Sequence, residues 1–314
     1  MKDGFNRDID CLNISLTNIC DLKCTYCMPY NYKPTYNTSR VLSVDDYKFI
    51  IKSMSELGIR KIEFIGGEPL LYPNLADLIY YAKNYCNIEE VSITTNGIKF
   101  AEQGAKLKNA GLDKVNIQIN SLKEYKYESL TRVGNLGLVL KSFSTALNLN
   151  IDTNIDTLII NNFNDDEIYD FIQLANNFPI TLRFFEMMYV VQLEGLFDEG
   201  YLNVVDIMNN MDNMTKIKSY DKVCRYYYKT PNSRGKIGVV SRFNDANCWS
   251  CNNITLSYDG KIRLCRYENK EYDILNFINK PLTFSEVMKD IINYKPKDFN
   301  EIKNNITCRN INEL

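Results

Sequence analysis

Six short runs rich in β-branched residues recur along the first part of the chain: CLNISLT (11–17), KIEFI (61–65), VSITT (91–95), KVNIQI (114–119), IDTLII (155–160) and ITLRFF (180–185). Helical patterns stand between them, such as VDDYKFIIKSMSELG (44–58) with Ser43 as its N-cap, NLADLIYYAKNY (74–85) and DDEIYDFIQLANN (165–177). Strand–helix alternation at this spacing predicts parallel βαβ units, hence an α/β barrel or a doubly wound sheet. Six units fall short of the eight of a full TIM barrel, so the expectation is a partial (β/α)6 barrel. Beyond about residue 190 the pattern changes. A helix around LNVVDIMNNM (202–211) precedes short strands in CRYYYKT, KIGVVS and ITLSYDGKIRLC, and FSEVMKDIINY (284–294) forms one more helix. Asp259-Gly260 marks the last of these strands as a hairpin. The expected division is a barrel over 1–195 and a C-terminal region over 196–314, packed together because no low-complexity linker separates them.

The chain of 314 residues contains no histidine and ten cysteines. Losing histidine removes imidazole bases, Ser-His triads and every mixed Cys/His zinc site. Chemistry here must come from sulfur, carboxylate, backbone or a cofactor. A net charge of −2 argues against a nucleic-acid footprint. No apolar run reaches the roughly 20 residues of a membrane span, and the polar start MKDGFNRDID lacks a signal h-region. A cytoplasmic protein is expected, acting on a small molecule with neither nucleic acid nor membrane as partner.

In a cytoplasmic chain, cysteines are metal ligands or reactive thiols rather than disulfides. Cys20, Cys24 and Cys27 cluster in TNICDLKCTYCMPY, directly after the first strand; Cys248, Cys251 and Cys265 bracket the hairpin; Cys11, Cys86, Cys224 and Cys308 are scattered. Loops after parallel strands line the face of a barrel where active sites lie. One reading of the first triplet is a structural metal site, which without histidine wants four sulfurs. The other is an iron–sulfur cluster with three protein ligands and one open iron. The second triplet is either a closed zinc or cluster site, completed by Cys224 or Cys308, or a second cluster with an open iron.

C-x3-C-x2-C after a first strand, with Tyr26 before the last cysteine, resembles the signature of the radical S-adenosylmethionine (SAM) family. Gly66-Gly67-Glu68-Pro69 after the second strand resembles that family's GGEP, and Ile93 to Gly97 its TTNG segment. The resemblance implies that Cys20, Cys24 and Cys27 bind a [4Fe–4S] cluster whose open iron chelates SAM. Gly66 to Pro69 and Thr95, Asn96 and Gly97 would then contact SAM. Reductive cleavage would yield a 5′-deoxyadenosyl radical that abstracts hydrogen from the substrate, the electron coming from a donor such as flavodoxin or ferredoxin. Gln118, Asn120 and Arg183 resemble SAM- or substrate-facing positions, Arg183 being equally readable as a structural ion pair. Tyr26 and Met28 pack around the cluster.

Over nearly the whole chain the sequence is similar to the GTP 3′,8-cyclases of molybdenum-cofactor biosynthesis. TNICDLKCTYCMP, GGEPLL, ITTNG, AGLDKVNIQINSL, NDDEI, LRFFEMM, GKIGVVS and CNNITLSYDGKIRLC fall in that family's order. The resemblance implies a second [4Fe–4S] cluster on Cys248, Cys251 and Cys265, near the substrate. Departures share one direction. Asn13, Asn253 and Thr255 stand where the family has arginines, Tyr72 and Asn154 at further basic positions, and the chain ends Ile311-Asn312-Glu313-Leu314 rather than Gly-Gly. Phosphates are held by cationic clamps or helix N-termini, and where Lys33, Arg242 or Arg266 would lie is not readable. The expectation is therefore a MoaA-like, lyase-type radical SAM enzyme acting anaerobically on a small molecule other than GTP. GTP cyclisation and peptide maturation are the alternatives. A bare iron–sulfur electron carrier is disfavoured because it needs no SAM pocket.

Overall fold

The computed structural model describes residues 1–28, 41–187, 199–217, 224, 226–241, 248–268, 270–298 and 301. Lys33, Arg242, Cys308, the chain end and the expected division at 195/196 lie outside the described residues. The six expected strands are β1 (Cys11–Ser15), β2 (Lys61–Ile65), β3 (Glu90–Thr95), β4 (Lys114–Gln118), β5 (Asp152–Ile159) and β6 (Thr181–Glu186). Each pairs in parallel with the next.

The crossover helices are α1 (Val44–Glu56), α2 (Leu75–Tyr85), α3 (Phe100–Ala110), α4 (Glu124–Thr131), α5 (Leu136–Asn148) and α6 (Ile168–Asn177). Ser43 caps α1 as expected: the Asp46 N–H donates to Ser43 Oγ at 3.2 Å, and the Ser43 N–H donates back to Asp46 Oδ2 at 2.9 Å, a reciprocal box that satisfies two orphan donors. α3 stops at Gly111, whose φ of +107° is a left-handed cap open to glycine.

Alternate residues along each strand face opposite ways. Leu12, Phe64, Ile93, Ile117, Ile155 and Phe184 point to the helices and are fully buried in one hydrophobic core. Asn13, Glu63, Thr94, Asn116, Asn154 and Arg183 have the other parity and form a polar inner face. This is the two-faced pattern of a (β/α) barrel wall, in which helices cover one side and the site occupies the other.

The C-terminal strands join the same sheet. β9 (Lys236–Val240) lies parallel to β6, and β10 (Asn253–Leu256) lies parallel to β1. β7 (Thr215–Ile217) and β8 (Tyr226–Lys229) extend one edge antiparallel; β11 (Lys261–Arg263) and β12 (Tyr272–Asp273) extend the other. Among the described residues the result is one open, 12-stranded sheet containing a partial (β/α)6 barrel. The expected hairpin is present, with Gly260 at φ +80° in its turn. Among the described residues the later helices are α7 (Val204–Asn210) and α8 (Pro281–Ile292), the latter beginning on Pro281, whose missing N–H costs nothing at a first helical position.

Phe184 packs edge-on against Phe171 of α6 with ring centroids 6.3 Å apart. Phe184→Ala leaves a cavity there and is expected to cost about 3–5 kcal/mol. Urea unfolding at unchanged slope is the measurement.

Candidate active site

The first three strands deliver their following loops to one point. The Gly67 N–H donates to Thr17 O at 2.6 Å and the Glu68 N–H to Ile19 O at 2.8 Å, so the loop after β2 lies directly on the loop that leads to Cys20. That approach depends on missing side chains. A Cβ on Gly67 would sit 2.2 Å from Ile19 O, and one on Gly66, at φ +143°, 2.5 Å from Thr17 O.

The loop after β3 closes the junction. Asn96 Nδ2 donates to Asp21 Oδ1 at 2.7 Å and approaches Cys20 Sγ at 3.8 Å. Glu68, almost fully buried, gathers three donors: Thr95 Oγ1 (2.7 Å), the Asn96 N–H (2.8 Å) and the Leu70 N–H (3.0 Å). Burial pushes its carboxyl up to about 7, against the pull of those donors.

Cys24 to Met28 form a tight turn in which the Cys27 and Met28 N–H groups donate to Cys24 O, at 3.0 and 2.7 Å. The loop is pinned to α4 by the Thr25 N–H to Leu130 O bond of 2.9 Å. Tyr26 is buried and accepts from Asn120 Nδ2 at 2.8 Å, while Asn120 Oδ1 accepts from the Leu158 N–H at 2.8 Å. Asn120 therefore positions Tyr26, both ends of its amide being engaged. Gln118, at the end of β4, has a half-buried amide with no hydrogen-bond partner among the described residues.

The residues present fit an iron–sulfur group with a bound organic molecule. Burial pushes the Cys20 thiol up to about 12 and that of Cys24 to about 11, and it raises Cys27 as well, with Cys24 and Cys20 adding to it. The triplet offers three sulfurs, one fewer than the four a zinc site without histidine takes. A residue not singled out from sequence adds to this. Tyr127 of α4 is 2% exposed and its hydroxyl has no hydrogen-bond partner. Burial raises its pKa, with Cys24, Asp21, Cys20 and Glu68 as the charges around it. An orphaned buried hydroxyl among these groups calls for a partner the chain does not supply.

Cys248, Cys251 and Cys265 come together beside β10 and β11. The Cys251 N–H donates to Cys248 O at 3.2 Å, and Cys251 and Cys248 both raise the Cys265 thiol, which burial already pushes up to about 11. Cys224 is elsewhere, buried with Tyr227 and Val240 and positioned where a Gly238 Cβ would meet its Sγ at 2.5 Å. Two cations missed from sequence support the triplet. Arg7 Nη1 donates to Cys248 O (2.8 Å) and Lys297 O (2.9 Å), and buried Lys295 lies against Cys251.

The inner face between the triplets is polar. Glu63 Oε1 accepts from Thr94 Oγ1 (2.5 Å) and Asn116 Nδ2 (2.8 Å), and Asn154 Nδ2 donates to Asn116 Oδ1 at 2.7 Å. Asn13 stands in register between Glu63 and Thr255. Arg183 makes a two-pronged ion pair with Asp156, at 2.6 Å for each bond, the structural role weighed for it from sequence. Tyr72 instead packs edge-on against Tyr47 of α1.

Comparison with known proteins agrees with this geometry. Residues 14–175 match the radical SAM superfamily and residues 180–301 match the family described as Molybdenum Cofactor Synthesis C. A GTP 3′,8-cyclase of Alkaliphilus oremlandii is 34% identical over 95% of this chain and 93% of its own length. One from Clostridium botulinum is 32% identical over 96% and 95%. In fold, the chain is similar to Streptococcus suis SuiB bound to S-adenosylmethionine (TM-score 0.56, 12% identity, 92% of this chain and 67% of that one). It is also similar to methylornithine synthase PylB (TM-score 0.51, 18% identity, 65% and 62%).

Gly67→Ala forces the two loops apart and is expected to lower iron incorporation while far-ultraviolet dichroism stays native. Tyr127→Phe removes one hydroxyl without changing shape, and SAM affinity by equilibrium dialysis should fall about 5–10-fold, a lost hydrogen bond of roughly 1 kcal/mol, at unchanged iron content.

Proposed function

We propose that this chain, which belongs to the radical SAM superfamily and within it to the family of the GTP 3′,8-cyclases, binds the cluster that cleaves SAM through Cys20, Cys24 and Cys27. It is an enzyme, and its family works with SAM and two [4Fe–4S] clusters. Cys248, Cys251 and Cys265 are the proposed ligands of the second. The observation that carries the assignment is the side-chain-free contact of Gly66 and Gly67 with Thr17 and Ile19, which fixes three motif loops around Cys20.

When bound, SAM and the first cluster supply a 5′-deoxyadenosyl radical that takes hydrogen from the substrate. The chain's residues do the rest. Cys20, Cys24 and Cys27 would hold the cluster by three thiolates and so leave room for SAM on its remaining iron. Gly66, Gly67 and Pro69 offer backbone to the SAM amino group, and Glu68 offers a carboxyl that an adjacent ammonium draws toward its ionised form. Thr95, Asn96 and Gly97 hold Glu68 and the Cys20 loop in register. Tyr127 and Gln118 supply donors that nothing in the described chain uses, and Asn120 acts through Tyr26. The polar inner face then receives the substrate away from bulk water.

GTP is the first candidate substrate. Relatives matching 95% and 96% of this chain carry GTP 3′,8-cyclase as their name, and this likeness favours cyclisation over the non-GTP expectation drawn from the missing arginines. A small molecule without a triphosphate is the second reading, and one observation favours it. The buried arginines on the inner face, Arg183 and Arg263, are both taken by carboxylates, Asp156 and Glu271, and the side chain in register beside Asn13 is the carboxyl of Glu63, which forms no ion pair among the described residues. A phosphate placed there meets a carboxylate, and an unpaired buried charge costs several kcal/mol.

Anaerobic incubation with SAM, reductant and GTP, followed by mass spectrometry, separates the two. The 3′,8-cyclised product at a rate comparable with an authentic cyclase supports the first reading. Release of 5′-deoxyadenosine without any GTP-derived product supports the second. In either case Cys24→Ala is expected to abolish 5′-deoxyadenosine release; release that survives it removes the first triplet from the SAM site. Iron should approach about eight per chain for two four-iron clusters, and bound zinc or about half that iron would overturn the second triplet's assignment.

A further inference from the structure

Lys295 is 2% exposed, deeper than any other lysine described. It follows α8 in a tight turn, with its N–H donating to Ile292 O at 3.1 Å, and the turn is locked by Arg7, whose Nη2 donates to Pro296 O at 2.7 Å. The Lys295 side chain reaches under the hairpin, where Nζ donates to Asn253 O at 2.9 Å and to Leu264 O. Asn253 and Leu264 are near neighbours in sequence of Cys251 and Cys265, so the ammonium sits between the two cysteine-bearing ends of the hairpin.

Carbonyl partners do not neutralise an ammonium. Among the described residues no carboxylate lies within ion-pair distance of Lys295. Glu268 feels its charge but forms no salt bridge with it. A buried cation with no counter-ion costs several kcal/mol, so its retention implies a local anion. The groups in reach are the sulfurs of the hairpin: Nζ bonds the carbonyls of Asn253, two residues after Cys251, and of Leu264, next to Cys265.

We propose that Lys295 is a positioning residue that raises the reduction potential of the second cluster by holding a fixed positive charge against its Cys251 and Cys265 ligands. The proposal rests on the reading that Cys248, Cys251 and Cys265 hold an iron–sulfur cluster. Reduction adds one negative charge to such a group, and cluster potentials follow net charge, hydrogen bonds to sulfur and solvent exposure. A cation excluded from water at this position stabilises the reduced form more than the oxidised one, because the interior screens charge less than solvent does.

The test is an EPR-monitored redox titration of the full chain carrying both clusters. The first cluster is identified as the signal that changes when SAM is added. Lys295→Gln keeps a donor for Asn253 O and Leu264 O but removes the charge; Lys295→Arg keeps the charge. The glutamine variant is expected to lower the reduced-to-oxidised ratio of the SAM-insensitive signal at least tenfold at fixed potential, about 59 mV for a one-electron couple. The SAM-sensitive signal should stay in place, and the arginine variant should stay within threefold of the parent. Loss of the second cluster in the glutamine variant alone also supports a requirement for charge. An unchanged potential in the glutamine variant, an equal shift of both signals, or loss of the cluster in both variants overturns the proposal. Failure of the underlying reading looks different: the parent chain itself would show about four irons and no SAM-insensitive signal.

Discussion

The site depends on one steric fact, that two consecutive residues after β2 have no side chains. With a Cβ on Gly67 the carbonyl of Ile19 would have to move by more than half an ångström to reach the closest contact real Cβ atoms make, since the present separation would be 2.2 Å. Moving it breaks the Glu68 N–H to Ile19 O bond and releases the loop that carries Cys20. Glu68 would lose its place with it, and so would Thr95 and Asn96, which reach the cysteine loop through Glu68 and Asp21. Parallel strands bring their C-terminal loops to one end of a sheet, but only a backbone-on-backbone contact fixes those loops to within the tolerance that catalysis requires.

What could be read from the sequence follows from which signals are local. The six barrel strands and the Ser43 cap are written within a few residues each, in β-branched runs and a capping box. The cysteine triplets and GGEP are equally local. The edges of the sheet are not. KIGVVS and NITL look like members of a separate all-β region, yet they pair in parallel with β6 and β1, and the latter partner is some 240 residues away in the chain. Nothing in a strand's own pattern names a partner that distant, since parallel pairing is completed by long crossovers. Arg7 and Lys295 were missed for the same reason. Each is a lone cation in a polar stretch, and each acquires meaning only when folding carries it to cysteines far along the chain. Arg183 was legible as a position but not as a partner, because its identity as an ion pair needs Asp156 on the neighbouring strand.

The inner face shows how much a few side chains decide on a barrel wall. Thr94, Asn116 and Asn154 sit on three adjacent strands and form a chain of hydrogen bonds that ends on Glu63. Every donor in that chain points toward the carboxylate, so the network is organised around a negative group already inside the protein. Arginines at Asn13, Asn253 and Thr255 would organise the neighbouring space around a negative group brought in by a ligand. Neutral amides can still hold a phosphate, but by ordinary hydrogen bonds rather than charge-assisted ones, which are roughly twice as strong. The family likeness and this face thus pull in opposite directions on the substrate, and neither bears on the loops that carry Cys20, Glu68 and Asn96.

The two cysteine triplets also differ electrostatically, and the difference suits different work. Around the first, Glu68 and Asp21 add negative potential to buried sulfur. Added negative charge makes a cluster harder to reduce and, once reduced, a stronger donor, which is what breaking a carbon–sulfur bond in SAM demands. Around the second, Lys295 and Arg266 oppose the effect of burial on Cys251, so a cluster held there would be a poorer electron donor than one at the first triplet. An electron arriving at a chain with both groups at equal potential would be shared between them. If both triplets hold clusters as proposed, these opposite surroundings would make the first the stronger electron donor and the second the better electron acceptor.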